Sequence, residues 1–390
     1  MPHDPERQAG YVRQSLAQGR RPLGFLIGAG CPTAIRVASK PLIPDVAGLT
    51  EQIRAELGKS GAAPAWKTLE SQFPSDANVE IILSHIRSLR AVAGSDEIRG
   101  ILPDDLDALE SSICGTIAEV AGKSLPARDT PYHRLASWIG SSVRAYPVEV
   151  FTPNYDLLME QALEETRVPY FDGFVGSVEP FFDLHAIEVD PVPPRWARLW
   201  KIHGSINWDL GARGTVFRRS RLDPSQVRVI YPSHLKYEES RRMPYLALFD
   251  RLRTFLRQPS AVLITCGFSF RDDHLNEVLL DGAEGNPGAI IFGLLHGDLD
   301  DYSTARSIAT NRANLTLLAA DGGVVGTRED DWPALDAPPE PREPIAVEWK
   351  PEKGGKAVRA RFTLGDFNRL GLLLADILGA PMTSTDNDAN

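Results

Sequence analysis

Short apolar runs recur along the chain, and most of them lack the polar alternation of a strand with one solvated face. They lie at residues 22–30, 148–152, 199–203, 228–231, 261–267, 289–295 and 314–320. Apolar strands separated by helical stretches are typical of a parallel sheet that is covered on both faces. Between residues 46 and 140 the apolar spacing is helical, as at 79–92, 106–120 and 132–143. The sequence therefore predicts an α/β fold, a doubly wound parallel sheet with a helical module inserted after its first strand.

Composition and charge narrow the function classes. The 390 residues are 43% hydrophobic and 24% charged, which is an ordinary globular composition. Basic residues number 42 and acidic residues 52, so the net charge of −10 leaves no basic footprint, and direct nucleic-acid binding is not expected. The first residues contain no secretory-type apolar stretch, and no run in the chain approaches the length of a membrane span. We expect a cytoplasmic protein that does not bind membranes.

The C-terminal part of the chain has a different pattern. Proline is dense between residues 336 and 351, which marks a connection leaving the core. Strand-like runs at 345–350 and 356–362 flank a hairpin-like PEKGG segment, and residues 364–378 have the spacing of an amphipathic helix. These residues predict a small α+β appendage, interpreted as a packing or assembly element, followed by a disordered tail.

Two glycines follow the first predicted strand. Gly28 and Gly30 stand at a strand-to-turn junction, where a backbone without Cβ atoms can approach a pyrophosphate and offer N–H donors. The third glycine of the full dinucleotide fingerprint is missing, because Cys31, Pro32 and Thr33 follow. A tight turn, as in any α/β protein, is the alternative for this pair, and an ordinary dehydrogenase is disfavoured.

Polar side chains follow two later strands. Asn154 and Asp156 come directly after the run at 148–152, and His203 ends the run at 199–203. Ligands of doubly wound sheets bind beyond the carboxyl ends of the strands, and a histidine there can accept a proton from a hydroxyl or water. Helix capping is the alternative for Asn154 and Asp156. For His203 the alternative is a lone histidine without a chemical role.

The run at 261–267 also ends in glycine and small polar residues. Gly267 and Ser269 are candidates to contact a ribose or a phosphate. The charged residues 271–273 are interpreted as the solvated start of a helix, which is the common role of such a cluster.

The order and spacing of these four segments together resemble the sirtuin (Sir2-type) family and its bacterial sirtuin-like relatives. The GAG turn at residues 28–30 is followed by an I-P-D element that ends at Asp45. The family's Q-N-x-D motif is similar to residues 153–156, its H-G motif to residues 203–204, and its G-T-S motif to residues 267–269. The resemblance covers roughly residues 20–330.

The resemblance implies a Rossmann-like, NAD⁺-binding catalytic domain and a division of the chain. The domain is formed by residues 20–45 and 145–335, and the helical module at 46–144 interrupts it. The C-terminal hairpin and helix follow at 336–380, and the disordered tail at 381–390.

The resemblance also implies roles for single residues, with NAD⁺ as the substrate. His203 is the implied base, Asn154 orients water and ribose, and Asp156 contacts the nicotinamide carboxamide. The implied NAD⁺-binding residues are Gly28, Ala29, Gly30, Thr33, Asp45, Gly267 and Ser269.

Departures from the family pattern point to one of its branches. Zinc-bearing sirtuin deacylases carry four cysteines after the H-G motif, whereas residues 204–262 contain none and the whole chain has only 3. These 3 form no C-x-x-C pair, so no metal is expected. Pro153 replaces the family's glutamine and Phe268 its threonine, which argues against ordinary acyl-lysine handling. These features resemble the NAD⁺-hydrolysing effectors of bacterial anti-phage defence systems.

The sequence thus predicts an NAD⁺ glycohydrolase that releases nicotinamide and ADP-ribose and acts as a defence effector by depleting NAD⁺. The alternatives are an NAD⁺-dependent protein deacylase and a non-enzymatic sensor of NAD⁺ or ADP-ribose. The resemblance also implies a homo-oligomer and, as a partner that restrains the activity, a HerA-type hexameric ATPase.

Overall fold

The computed structural model describes residues 3–59, 63–74, 77–190, 192–211, 214–220, 244–352 and 357–379. Its strands are β1 (Leu23–Ile27), β2 (Arg36–Val37), β3 (Lys40–Pro41), β4 (Val148–Thr152), β5 (Tyr170–Phe171), β6 (Phe174–Val175), β7 (Phe181–Phe182), β8 (Ala197–Lys201), β9 (Trp208–Leu210), β10 (Val216–Arg218), β11 (Val262–Cys266), β12 (Ile290–Leu294), β13 (Leu315–Leu318), β14 (Gly322–Val325), β15 (Arg328–Asp331), β16 (Ala334–Leu335), β17 (Val347–Pro351) and β18 (Val358–Phe362). Its α-helices are α1 (Pro5–Ala17), α2 (Val46–Leu57), α3 (Ala63–Glu70), α4 (Val79–Ala93), α5 (Pro103–Ala121), α6 (Pro131–Ser141), α7 (Leu158–Glu165), α8 (Leu184–Val189), α9 (Tyr245–Leu256), α10 (Asp273–Glu284), α11 (Ser303–Ala309) and α12 (Phe367–Ile377).

The main sheet has the strand order β15, β14, β13, β12, β11, β1, β4, β8, β5. All pairs from β13 to β5 are parallel, and β14 and β15 add antiparallel pairs at one edge. The central strands β1, β4, β8 and β11 are buried along their whole length, because helices cover both faces. The predicted fold class, a Rossmann-like doubly wound α/β sheet, is confirmed. The strand predicted at 228–231 and the tail at 381–390 lie outside the described residues.

Helices α2 to α6 lie between β1 and β4, so the inserted helical module is confirmed. The first four of these helices share a core of their own, in which Ile53, Trp66 and Ile113 are buried. The last, α6, packs on the sheet instead, where the rings of Trp138 and Phe25 meet edge to face at 5.8 Å. The exact domain boundaries stay a prediction.

The C-terminal appendage has the predicted hairpin strands and helix, β17, β18 and α12. Helix α12 packs on α6, with the Phe367 and Tyr132 rings 5.0 Å apart. It also approaches α1, where Arg13 donates to Asp376 Oδ2 at 2.7 Å and to Glu343 Oε2 at 2.8 Å. The appendage therefore packs on helices α1 and α6, while an assembly role stays a prediction. None of the helices in the described ranges combines the length and apolar character needed to cross a lipid bilayer.

Candidate active site

The carboxyl ends of β11, β1, β4 and β8 lie along one edge of the sheet. From β1 the chain continues to β4 and β8 on one side, and it returns to β11 on the other side. This change of direction is the switch point at which doubly wound sheets bind ligands. A cavity of about 2040 Å³ opens there. It exceeds the roughly 300–1,000 Å³ of most ligand pockets, so it has room for a dinucleotide.

The predicted site residues meet at this cavity. Those that line it are Ala29, Gly30, Thr33, Asp45, Asn154, Asp156, His203, Gly267 and Ser269. Gly28 lies directly behind them, since its carbonyl accepts a hydrogen bond from Asn154 Nδ2 at 3.1 Å. The structure thus brings together residues from five separate segments, and their roles toward NAD⁺ stay predictions.

The GAG turn packs backbone to backbone on the turn after β11. Gly28 N–H donates to Cys266 O and Gly30 N–H to Gly267 O, each at 2.9 Å. A Cβ atom on Gly28 would lie 2.3 Å from Gly267 O. These two N–H groups, expected from the sequence to serve a ligand, are instead used within the protein. The glycines are required because the two turns interlock.

Gly267 completes this contact from the other side. Its φ of +65° lies in the left-handed region that favours glycine. A Cβ atom there would lie 2.5 Å from Cys31 N and 2.8 Å from Cys31 Sγ. The Cys31 thiol donates to Cys266 O at 3.2 Å, and burial raises its pKa well above the usual range. Cys31 is therefore a packing residue and not a nucleophile.

Asn154 is held in place by a short chain of hydrogen bonds to the ends of β1 and β4. Thr152 Oγ1 donates to Ile27 O at 2.7 Å and accepts from Asn154 N–H at 3.0 Å. The Asn154 amide then donates to Gly28 O. The residue does not cap α7, whose N-cap is Leu157. Capping, the alternative reading for Asn154, is therefore wrong, and its side chain joins the two central strands at the cavity.

Asp156 does accept a hydrogen bond at the helix start, from Leu158 N–H at 3.0 Å. Burial raises its pKa from 3.8 to about 6, while Lys201 acts in the opposite direction. Lys201 is itself buried, lies 3.0 Å from Glu160 Oε1 and donates to the backbone oxygen of Asp156. The Asp156 carboxylate thus binds the backbone at the helix start and also lines the cavity. Once ionised, it can accept a hydrogen bond there from an N–H group.

The raised pKa of Asp156 predicts a pH-dependent stability. Because the folded state binds this proton more tightly than the unfolded state, the stabilisation is full below pH 3.8 and is lost as the pH rises through about 6. Asp156→Asn should abolish this pH-dependent loss of stability, because asparagine does not ionise. Its side-chain oxygen can still accept the hydrogen bond from Leu158 N–H. Denaturant unfolding from pH 4 to 7 should show the variant gaining stability relative to wild type, by up to about 3 kcal/mol. A difference that is flat or falls with pH would contradict this account.

His203 is buried, with only 5% of its surface exposed. Its Nε2 lies 3.2 Å from Asp272 Oδ2. The Phe249 ring packs on the imidazole with the centroids 6.1 Å apart. Asp272 also caps α10, because its Oδ1 accepts from His274 N–H and Leu275 N–H. The interpretation of Asp272 as a solvated helix start is therefore incomplete, since the residue reaches the predicted base.

Three predicted binding residues lie on less buried parts of the cavity wall. Asp45 is exposed and caps α2 by accepting from Gly48 N–H at 2.9 Å. Thr33 Oγ1 donates to Gly30 O at 2.7 Å, which tightens the turn, and Ser269 is exposed. Asp45 and Thr33 thus shape the backbone around the cavity.

The C-terminal appendage supplies a further part of the wall, which was not predicted. Asn368 Nδ2 donates to Ala34 O at 2.8 Å, just after the GAG turn. Gly365 lies against the end of β12 so closely that a Cβ atom would be 2.0 Å from Leu295 O. Arg369 and Leu372 also line the cavity. Helix α12 is therefore part of the site's construction.

Sequence reasoning missed Asp272, Lys201 and Asn368. A lysine inside an apolar strand is a usable signal, because a buried ammonium must find acceptors. Asp272 and Asn368 gave no local signal, because their partners are distant in sequence. No group of three or more His, Cys, Asp or Glu side chains in the described part of the chain is arranged to hold a metal ion.

The site agrees with a comparison against known families. Residues 148–314 match the model of the SIR2-like domain. This span contains Asn154, Asp156, His203, Gly267 and Ser269, whereas the GAG turn precedes it. A search of curated proteins gave no match. SIR2-like domains use NAD⁺, so the match points to an NAD⁺-dependent enzymatic activity. The match supports a Sir2-type family for the chain.

Proposed function

We propose that the protein is an NAD⁺ glycohydrolase that cleaves NAD⁺ to nicotinamide and ADP-ribose. The observation that carries the proposal is the meeting of Asn154, Asp156 and His203 at one large cavity beside the GAG turn. A proton acceptor, an amide that can orient water and a carboxylate that can accept an N–H of the carboxamide are groups suited to the hydrolysis of a nicotinamide–ribose bond.

In this reaction the bond between nicotinamide and C1′ of the ribose breaks, and a water oxygen bonds to C1′. Nicotinamide leaves as a neutral molecule with the bonding electron pair, and one proton of the water must be removed. His203 accepts that proton, and Asn154 orients the water and the ribose. Asp156, ionised above pH about 6, accepts an N–H of the nicotinamide carboxamide. All three side chains are buried, and a low local dielectric strengthens each of these interactions.

The cysteine distribution separates this proposal from a zinc-bearing deacylase. Residues 204–262 contain no cysteine, and Cys31, Cys114 and Cys266 are buried and free. A cavity of about 2040 Å³ could still admit an acylated peptide beside NAD⁺. Deacylation is therefore the second candidate, and an acyl-peptide arm belongs in the test.

We further propose that the enzyme is a defence effector that depletes NAD⁺. Its activity would be restrained by self-assembly or by a HerA-type ATPase partner. The support for this is the sequence resemblance to bacterial sirtuin-like effectors. The combination of a sirtuin-like site without a cysteine quartet and an extra C-terminal appendage agrees with that branch.

The test is a product analysis of NAD⁺ incubated with the purified chain, alone and with the product of an adjacent ATPase gene. Equimolar nicotinamide and ADP-ribose, formed without an acyl peptide, are the expected result. Nicotinamide release only with an acyl-lysine peptide, with O-acyl-ADP-ribose as product, would favour the deacylase. Tight NAD⁺ binding without turnover in every mixture would indicate a sensor and contradict the proposal.

A further inference from the structure

The contact between His203 and Asp272 crosses the centre of the site. His203 follows β8 and Asp272 follows β11, and β4 and β1 lie between these two strands. Three strand spacings separate β8 from β11, a distance of about 14 Å. The segments after β8 and β11 must therefore together span the ends of β4 and β1 for Asp272 to lie 3.2 Å from the imidazole.

The two oxygens of Asp272 have different partners. Oδ1 accepts from His274 N–H and Leu275 N–H, each at 3.0 Å, at the start of α10. Oδ2 lies 3.2 Å from His203 Nε2, at the upper end of the range for an N–H donor and an oxygen acceptor. The helix cap thus fixes the orientation of the carboxylate, and its second oxygen lies within ion-pair distance of the ring. Contacts of this kind shorten in many enzymes when substrate binds.

We propose that Asp272 is the positioning residue of His203, holding the proton of the neutral ring on Nε2 and leaving the lone pair on Nδ1. This role rests on the proposed function, in which His203 is the base. A carboxylate only accepts hydrogen bonds, so the nitrogen that faces it must carry the proton. Nδ1 then takes the proton from water, and the Asp272 carboxylate stabilises the resulting imidazolium.

A purely structural role for Asp272 as helix cap makes different predictions for two variants. Asparagine and serine are both good N-cap residues, so Asp272→Asn and Asp272→Ser should keep α10. In Asp272→Asn the amide oxygen is needed at the cap, so the NH₂ group faces Nε2 and favours the opposite tautomer. In Asp272→Ser the shorter side chain caps the helix but no longer reaches the ring.

The test combines nuclear magnetic resonance with kinetics on the full chain. Spectra of ¹⁵N-histidine-labelled protein report which ring nitrogen carries the proton, and His203→Gln identifies the His203 signals. We expect the proton on Nε2 in wild type and on Nδ1 in Asp272→Asn. For both variants kcat for NAD⁺ cleavage should fall by about 10²-fold or more, with KM changed only a few-fold. Thermal unfolding should confirm that both remain folded.

The outcomes separate this role from the proposed function. Wild-type kcat in both folded variants, or a wild-type ring protonated on Nδ1, would overturn the positioning role. A lower kcat with an unchanged tautomer in Asp272→Asn would also overturn it, because the effect would then arise elsewhere. A tautomer that changes as expected in a chain that never cleaves NAD⁺ would support the His203–Asp272 pair and contradict the glycohydrolase.

Discussion

Replacement of His203 by alanine should lower NAD⁺ cleavage by about 10²–10⁴-fold, the usual contribution of a general base. The variant loses the only group that we assign to proton removal. Alanine is smaller than the imidazole ring that it replaces and adds no charge at this buried position. Asn154→Ala should cause a loss of similar order, because it removes the amide that joins Gly28 O to the end of β4. Nicotinamide release under saturating NAD⁺ is the measurement.

A matched control for His203 is His185→Ala. His185 is exposed on α8 and does not line the cavity, so its loss should leave NAD⁺ cleavage within about two-fold of wild type. Circular dichroism and thermal unfolding should show all three variants folded. If His203→Ala and Asn154→Ala were folded and retained full turnover, the assignment of the site would be wrong.

A single methyl group on Gly28 should destabilise the whole protein. A Cβ atom would lie 2.3 Å from Gly267 O and 2.8 Å from Phe268 Cα, and both are backbone atoms that cannot rotate away. Gly28→Ala must therefore separate the turns after β1 and β11, at a cost of about 1–3 kcal/mol or more. Denaturant unfolding measures the loss, and NAD⁺ cleavage should fall with it because the site is formed by these turns.

Gly115→Ala is the control for Gly28→Ala. Gly115 lies in α5, and a Cβ atom there has nothing within 4 Å. Alanine in a helix interior is favoured over glycine by roughly 0.5–1 kcal/mol, so this variant should be slightly more stable than wild type. Equal stabilities for the two variants would show that the turns after β1 and β11 accommodate the added methyl group at little cost in free energy.

The fold was largely predictable because its signal is local. The mainly apolar sequences of β1, β4, β8 and β11 reflect burial on both faces, and the parallel direction of these strands places their four carboxyl ends at one edge. Asn154, Asp156 and His203 could be predicted to lie near one another because each follows the end of such a strand, and all three line the cavity. The sequence alone could not show why residue 28 must be glycine. The backbone that excludes a side chain there is that of Gly267, which is far away in sequence.

The remaining parts of the site depend on contacts that no local pattern encodes. Asp272 has the sequence context of an ordinary helix cap, and it is one, yet the same carboxylate contacts His203. Helix α12 has the spacing of an ordinary amphipathic helix, and its surface toward the cavity is visible only once the chain is folded. Both cases show that a residue with a sufficient local explanation can still line the candidate site.

The hydrogen bond from Asn368 to Ala34 joins residues that are 334 positions apart. During synthesis the GAG turn leaves the ribosome early, but its wall is incomplete until residues 365–377 have also emerged. Contacts of such sequence separation form late, because the long connecting chain must be ordered first. A nascent chain of the proposed NAD⁺ hydrolase would therefore carry all its catalytic side chains and still lack a finished cavity. Translation itself would then delay the activity until helix α12 has been made.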